Sequence, residues 1–315
     1  MSGTFCFLIL LVRALFMQSV SFSMLHCFKG GDHMLADYHV HTEFSDDSVY
    51  PLDTVCRDAI DRGFDEICIT DHVDYGIKPD VDEFRRDPSL APVVEGIPTT
   101  NVDYERYIPA IMQARERYAG RLEVRCGLEF GVQSHTQDRY NALFDRLSSS
   151  LDFIILSIHQ VGNKEFWTGE FQRGRTQDEY NTAYYQEMLH VVDTFDNWSV
   201  LGHLDLIKRY DPAGIWPHEK SEELVRQILV RTIEKGRGIE VNTSSFRYGL
   251  PDLQPCTQIL KLYRESGGRV ITFGSDSHKP EHLGAHIPEV RERLRNLGFT
   301  EFCTYRRMQP VFHAL

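Results

Sequence analysis

The chain of 315 residues has no apolar run of the roughly 20 residues that a membrane-spanning helix requires. Its most apolar stretch, residues 5 to 16, is shorter and is interrupted by Arg13. No basic leading segment precedes that stretch and no small-residue cleavage site follows it before Met34, so a secretion signal is disfavoured. An excess of basic residues is also missing. Lys and Arg total 34 against 46 Asp and Glu, a net charge of −12, which excludes a general attraction for nucleic acid or anionic membrane but leaves room for a local basic pocket. The seven cysteines, at positions 6, 27, 56, 68, 126, 256 and 303, have neither the paired spacing of a disulfide framework nor that of a zinc ribbon. They suit a reducing cytoplasm. There is no internal repeat and no low-complexity linker. With 42% hydrophobic and 25% charged residues, the chain has the composition of an ordinary folded domain. Its length is near the roughly 250 residues of one α/β barrel. Residues 1–33 are expected to be an N-terminal extension, and residues 34–315 the folded unit.

From Met34 onward, short apolar β-branched runs alternate with stretches of helical period, the pattern of a parallel sheet wrapped by helices. Strands are predicted at 36–41, 66–71, 122–129, 152–159, 199–205, 238–243 and 269–275. Helices are predicted at 52–62, 104–119, 178–195, 221–235 and 256–266. Gly63, Gly120, Gly236 and Gly267 stand where a left-handed helix cap would fall. Residues 73–103 are rich in Asp and Pro, lack periodicity, and read as a long loop over one end of the sheet.

Metal-capable side chains fall at the ends of nearly all these strands: His39 and His41, Asp71 and His72, Glu129, His159, His203, Asp276 and His278. In a parallel barrel the carboxyl ends of all strands meet at one face, so residues distant in sequence converge there. His39 and His41 lie two apart on a strand and therefore share a face. Such a pair alone is equally well two polar residues on a half-exposed strand. His159 and His203, each closing an apolar strand, are taken singly no more than hydrogen-bonded core histidines. Six histidines and several carboxylates placed in this way make one cluster the better explanation. Imidazole mixed with carboxylate suits zinc, manganese or iron rather than calcium. Glu129 is either a salt-bridged glutamate or a carboxylate that bridges two cations through its two oxygens, and the neighbouring histidines favour bridging. In GSDSH, residues 274–278, Ser275 or Asp276 could instead serve as a helix cap.

The motif order resembles the polymerase and histidinol phosphatase (PHP) superfamily of metal-dependent phosphoesterases. The resemblance rests on DYHVHTEFSDDS (37–48), ITDH (69–72), GLEFG (127–131), SIHQV (157–161), GHLDLIKRY (202–210), EVNTSS (240–245) and GSDSH (274–278), and spans essentially all of 34–315. The SIHQV and GHLDLIKRYD segments are similar to the histidinol-phosphatase branch. The resemblance implies a distorted (β/α)7 barrel with up to three divalent metals at the carboxyl end of its strands. One metal is expected on His39, His41, Glu129 and Asp276, a second on Glu129, His159 and His203, and a third on His72 and His278. At the third site Asp47 stands where a histidine is often found in the superfamily. Glu129, Asp276 and Asp71 are the residues expected to carry the chemistry, Asp71 by orienting the ring of a ligating histidine and not as a ligand.

Phosphate monoesters resist hydrolysis because their anionic oxygens repel hydroxide and their alkoxide leaves poorly. Divalent cations address both obstacles, lowering the pKa of water from about 15.7 toward 7 and offsetting phosphoryl charge. A phosphate pocket also calls for arginine, whose planar fork matches two oxygens, and Arg209 and Arg247 are the candidates, with Lys208 a weaker one. His282 and His286 are candidates for supporting the metal ligands, whereas His26, His33, His190, His218 and His313 lie off the strand ends. The expected activity is hydrolysis of L-histidinol phosphate, a small-molecule ester, in the cytoplasm, with no nucleic-acid or membrane partner. A PHP-type phosphatase or phosphodiesterase acting on a nucleotide, sugar phosphate or short oligonucleotide is the alternative. A barrel that binds metal or phosphorylated ligand without turnover is disfavoured by the near-complete ligand set.

Overall fold

A computed structural model describes residues 34–94 and 96–315; the expectations for residues 1–33, His26 and His33 among them, lie outside the described residues. Seven strands, β1 (Ala36–Val40), β2 (Glu66–Ile69), β3 (Glu123–Gly131), β4 (Phe153–Ser157), β5 (Val200–Leu201), β6 (Gly238–Asn242) and β7 (Ile271–Gly274), pair side by side in sequence order. Every pair is parallel. The circle is completed just past β7, where the His41 amide donates to the Ser277 carbonyl at 2.8 Å and the Ser277 amide to the His39 carbonyl at 3.2 Å. The result is the nearly closed, distorted (β/α)7 barrel implied by the sequence. These strands read as continuous apolar runs because helices cover their outer faces while side chains fill the interior. Ile67, Ile69, Leu128, Ile155, Ile239 and Ile271 are fully buried, each stabilising the fold by about 1.5–3 kcal/mol relative to exposure.

Among the described residues eight helices accompany the strands: α1 (Leu52–Asp61), α2 (Val81–Arg86), α3 (Tyr104–Tyr118), α4 (Gln137–Leu147), α5 (Gln177–Thr194), α6 (His218–Glu234), α7 (Thr257–Glu265) and α8 (Ile287–Asn296). In α1 the buried Leu52, Val55, Cys56 and Ala59 recur at three- and four-residue steps, giving one apolar stripe for the barrel wall. The four glycines expected to end helices all have positive φ. An antiparallel hairpin, β8 (Glu301–Arg306) and β9 (Gln309–Ala314), ends the chain.

Two expectations need correction. The strand predicted over 199–205 pairs only at Val200 and Leu201. The chain then leaves the ladder through Gly202, where a Cβ would sit 2.5 Å from Ile155 and 2.7 Å from the Ser157 hydroxyl, and through His203 at φ 23. Residues 73–103 are not wholly irregular. They contain α2, whose capping box joins Asp80 and Glu83, and a two-stranded ladder of Val93–Val94 with Ile97–Pro98.

Candidate metal centre

The carboxyl ends of the strands bring the predicted side chains together. Glu129, near the end of β3, is buried, and its two oxygens face different imidazoles. Oε2 lies 3.1 Å from His39 Nε2, 3.5 Å from His41 Nε2 and 3.1 Å from His72 Nδ1. Oε1 lies 3.1 Å from His159 Nε2 and 2.9 Å from His203 Nε2, and accepts from the Ser157 hydroxyl at 2.7 Å. Asp276 Oδ1 is 3.8 Å from both His39 and His41. Asp47 Oδ2 stands 3.0 Å from His278 Nε2 and 3.4 Å from His72 Nε2. Ligand-capable atoms of His41, Asp47, His72 and His278 lie within 4.8 Å of one another, as do those of His39, His41 and Asp276, and those of His39, Glu129 and His203.

Local backbone geometry aims these groups. His203 and Asp276 hold positive φ, 23 and 55, conformations that cost non-glycine residues about 1–3 kcal/mol and persist only where surrounding contacts enforce them. The His203 amide donates to Glu240 Oε2 at 2.9 Å, and Arg247 donates to the carbonyls of Ser275 and Asp276. Glycine is needed at two close approaches. A Cβ on Gly274 would strike Glu240, and one on Gly131 would strike Asp74.

Those two carboxylates were not singled out from the sequence. Glu240, on β6, holds His39 Nδ1 at 2.6 Å, and Asp74 holds His159 Nδ1 at 2.9 Å, so each fixes a ring whose other nitrogen points at Glu129. A charge within the apolar strand GIEVN, and an acid two residues beyond His72, were the available signals. The role expected of Asp71 is taken by these residues. Its own carboxylate accepts from the Thr42 amide at 2.7 Å and the Thr42 hydroxyl at 2.8 Å, not from an imidazole, because the chain after β1 folds back over it. Burial lifts the Asp71 carboxyl to about 6.

The two arginines both lie 3.6 Å from Asp276 Oδ2 and differ in their hydrogen-bond partners. Arg209 lines the pocket above the cluster, donates to Ser244 Oγ at 2.6 Å and Gln254 Oε1 at 2.7 Å, and lies 3.6 Å from Asp276 Oδ2. Arg247 donates to the carbonyls of Ser275 and Asp276 in the GSDSH loop and is not among the residues lining the pocket. Lys208 turns away to Asp205 and the Leu253 carbonyl. His286 is drawn off by Glu289, at 2.7 Å, and by stacking on Phe246. No hydrogen bond links His282 to the cluster among the described residues.

Electrostatics fit a cation. Burial opposes charge on His39, yet Glu129, Glu240 and Asp276 outweigh it and raise its pKa well above the ordinary value. Burial likewise opposes charge on His72 and His159, but the neighbouring carboxylates raise them to about 9 and about 10. Burial would raise Glu129, but His39, His159 and His72 hold it well below the carboxylate range. His41 is driven the other way, by burial and by the imidazoles of His278, His72 and His39. Its Nε2 has no hydrogen-bond partner, and neither do His72 Nδ1 and His203 Nδ1. A buried imidazole nitrogen with no hydrogen-bond partner, 3.5 and 3.8 Å from two carboxylate oxygens, is placed to share a cation with them, and divalent zinc, manganese or iron suits this nitrogen and oxygen set.

Comparison with known proteins agrees with this chemistry. The family described as PHP domain matches residues 37–244. The chain is 28% identical over 276 residues to histidinol-phosphatase of Lactococcus lactis, covering 87% of this chain and 95% of that protein. It is 24% identical over 278 residues to histidinol-phosphatase of Bacillus subtilis, covering 82% and 98%. Among solved structures, histidinol phosphate phosphatase from Lactococcus lactis, in complex with zinc, L-histidinol and phosphate, superposes with a TM-score of 0.72 at 27% identity, covering 88% of this chain and 98% of that one. A chain from Listeria monocytogenes shares the fold, with a TM-score of 0.65 at 19% identity over 81% of this chain.

Proposed function

The chain belongs to the PHP domain family, and from that premise we propose that it is a metal-dependent phosphomonoesterase converting L-histidinol phosphate to L-histidinol and phosphate. The observation that carries the reading is Glu129, whose two oxygens face two separate sets of imidazoles across a buried cluster. The similarity to histidinol-phosphatases over most of both chains supports the substrate.

In this reading His39, His41, Glu129 and Asp276 hold one divalent ion, Glu129, His159 and His203 a second, and His72, His278 and Asp47 a third. When bound, such ions supply Lewis-acid charge at the phosphoryl oxygens and a water of lowered pKa. The residues of the chain do the rest. Glu240 and Asp74 keep His39 and His159 turned toward Glu129. Arg209, held by Ser244 and Gln254, presents its guanidinium to the phosphate, and Asp276 keeps it oriented. Arg247 acts at one remove, fixing the loop that carries Asp276 and His278.

The ester is a small molecule, and the net charge of −12 argues against nucleic acid. No helix among the described residues is long and apolar enough to cross a membrane, and Cys56, Cys68, Cys126, Cys256 and Cys303 are unpaired. These features support a cytoplasmic place of action, with residues 34–315 as the hydrolytic unit and 1–33 as an extension to it. A panel of phosphate-release assays tests the reading. Turnover of L-histidinol phosphate should exceed that of nucleotides, sugar phosphates and diesters, and faster turnover of any of those would reject the substrate.

A further inference from the structure

Directly after His159 the chain makes a tight hairpin, Gln160–Val161 pairing antiparallel with Lys164–Glu165. Gly162 and Asn163, between them, both have positive φ, 59 and 57, as a two-residue type I′ turn demands. The turn is clamped by the buried Gln133. Its Oε1 accepts from the Asn163 amide at 2.7 Å, and its Nε2 donates to Asn163 Oδ1 at 2.9 Å. Beyond the hairpin, Phe166 is buried against Phe171 and Tyr184. Its two neighbours, Glu165 and Trp167, line the pocket above the metal cluster. The hairpin and Phe166 thus fix the backbone that carries both.

Five carboxylates line this pocket: Asp47, Asp74, Glu129, Glu165 and Asp276. Asp47 pairs with His278, Asp74 with His159 and Lys78, Glu129 with the imidazoles, and Asp276 with Arg209. Glu165 alone makes no ion pair among the described residues. Burial pushes its carboxyl above the ordinary value, with Asp74 adding to the rise and the Trp167 hydrogen bond, Lys78 and His159 opposing it. Beside it, Trp167 hydrogen-bonds the Glu165 carboxylate and is 57% exposed, a large flat ring at the mouth of a polar pocket.

We infer that Glu165 and Trp167 form the subsite that selects phosphate esters carrying an ammonium group beside a flat ring, Glu165 taking the ammonium and Trp167 lying against the ring. The inference rests on the functional reading above, and adds to it the residues that recognise the organic end of the ester. A charge-assisted contact and a ring face together discriminate such a substrate from a neutral ester that satisfies only the phosphate end.

The test compares L-histidinol phosphate with p-nitrophenyl phosphate, which has no cation, on the zinc-loaded full chain and its E165Q variant. The ratio of kcat/KM for the two esters should fall roughly thirtyfold in E165Q, mainly through KM for the cationic ester, and E165D should recover part of it. A wild-type enzyme without preference for L-histidinol phosphate overturns the functional reading and this inference together. A wild-type preference that E165Q leaves unmoved overturns this inference alone. As a second measurement, L-histidinol titrated into the zinc-loaded protein should quench tryptophan fluorescence in the wild type but not in W167L, since Trp198 is fully buried and Trp216 lines a different cavity. An equal quench in W167L overturns the contact with the ring.

Discussion

The two ends of the barrel both bury charge, and they use it differently. At the amino end Glu66 Oε1 accepts from Tyr38, from Arg125 at 3.0 Å and from Arg306 at 2.7 Å, the last tying the terminal hairpin to the barrel. Tyr38, Phe153 and Tyr305 pack against one another beside it, with ring centroids 4.9 to 6.3 Å apart. Asp152 completes the closure, accepting from the Arg307 amide at 3.1 Å and from Arg115. Here acids meet guanidinium groups and an aromatic plug. At the carboxyl end the central acid, Glu129, meets imidazoles, buried nitrogens lack partners, and two residues hold strained backbone. Buried charge with permanent cations beside it closes a structure, whereas buried charge lined by removable protons receives a metal.

Substitutions should separate the two ends. Glu129→Ala is expected to lower phosphatase activity by at least about 10³-fold and to reduce bound metal, with the circular dichroism spectrum unchanged. Glu66→Ala should do the reverse, breaking a buried pair at a cost of about 3–5 kcal/mol and lowering the melting temperature by roughly 10 °C, while metal content per folded chain stays constant. If Glu66→Ala lost metal, or Glu129→Ala unfolded the chain, the distinction between the ends would collapse.

Smaller effects sharpen it. Arg209→Lys keeps the charge but loses the planar guanidinium, which bonds Ser244 and Gln254 through Nη2 alone and leaves its other nitrogens for phosphate, so kcat/KM should drop about tenfold in steady-state assays. The same exchange at Arg57, an exposed residue of α1, should leave kcat/KM unchanged. The pH dependence has a definite sign. In the metal-free chain His72 and His159 are raised to about 9 and about 10, so protonation stabilises the fold fully below their ordinary pKa, and that contribution is lost as pH rises through about 9–10. A cation must displace those protons, so its binding strengthens as pH rises toward the same values. The rise in melting temperature on adding zinc should therefore be larger at pH 8 than at pH 6 by several degrees in differential scanning fluorimetry; an equal rise would mean that no protons are displaced.

Much of the carboxyl end was legible in the sequence because a parallel barrel gathers its strand ends whatever lies between them. His39, His41, His72, Glu129, His159, His203, Asp276 and His278 needed only that rule and the apolar runs before them. Glu240 and Asp74 escaped notice because their role depends on which ring nitrogen faces inward, a matter of side-chain direction that strand period alone does not encode. The partners of Arg247 were not legible for the same reason. A loop arginine after β6 was expected to reach phosphate, and its guanidinium bonds backbone carbonyls of the neighbouring loop. The hairpin bearing Glu165 was hidden because its turn is Gly-Asn rather than the commoner Asn-Gly, and it is secured by Gln133, a residue remote in sequence. The departure of β5 from the ladder after Leu201 reflects the tertiary hold of Glu240 on the His203 amide.

The most direct measurement is the metal content of chain purified without chelator, determined by mass spectrometry alongside phosphate release from L-histidinol phosphate. Two to three divalent ions per chain are predicted for the wild type on the order of standard multinuclear sites, with activity vanishing on their removal and returning with zinc or manganese. Undiminished hydrolysis by protein stripped of all metal would contradict the assignment of the imidazole and carboxylate cluster as a metal centre.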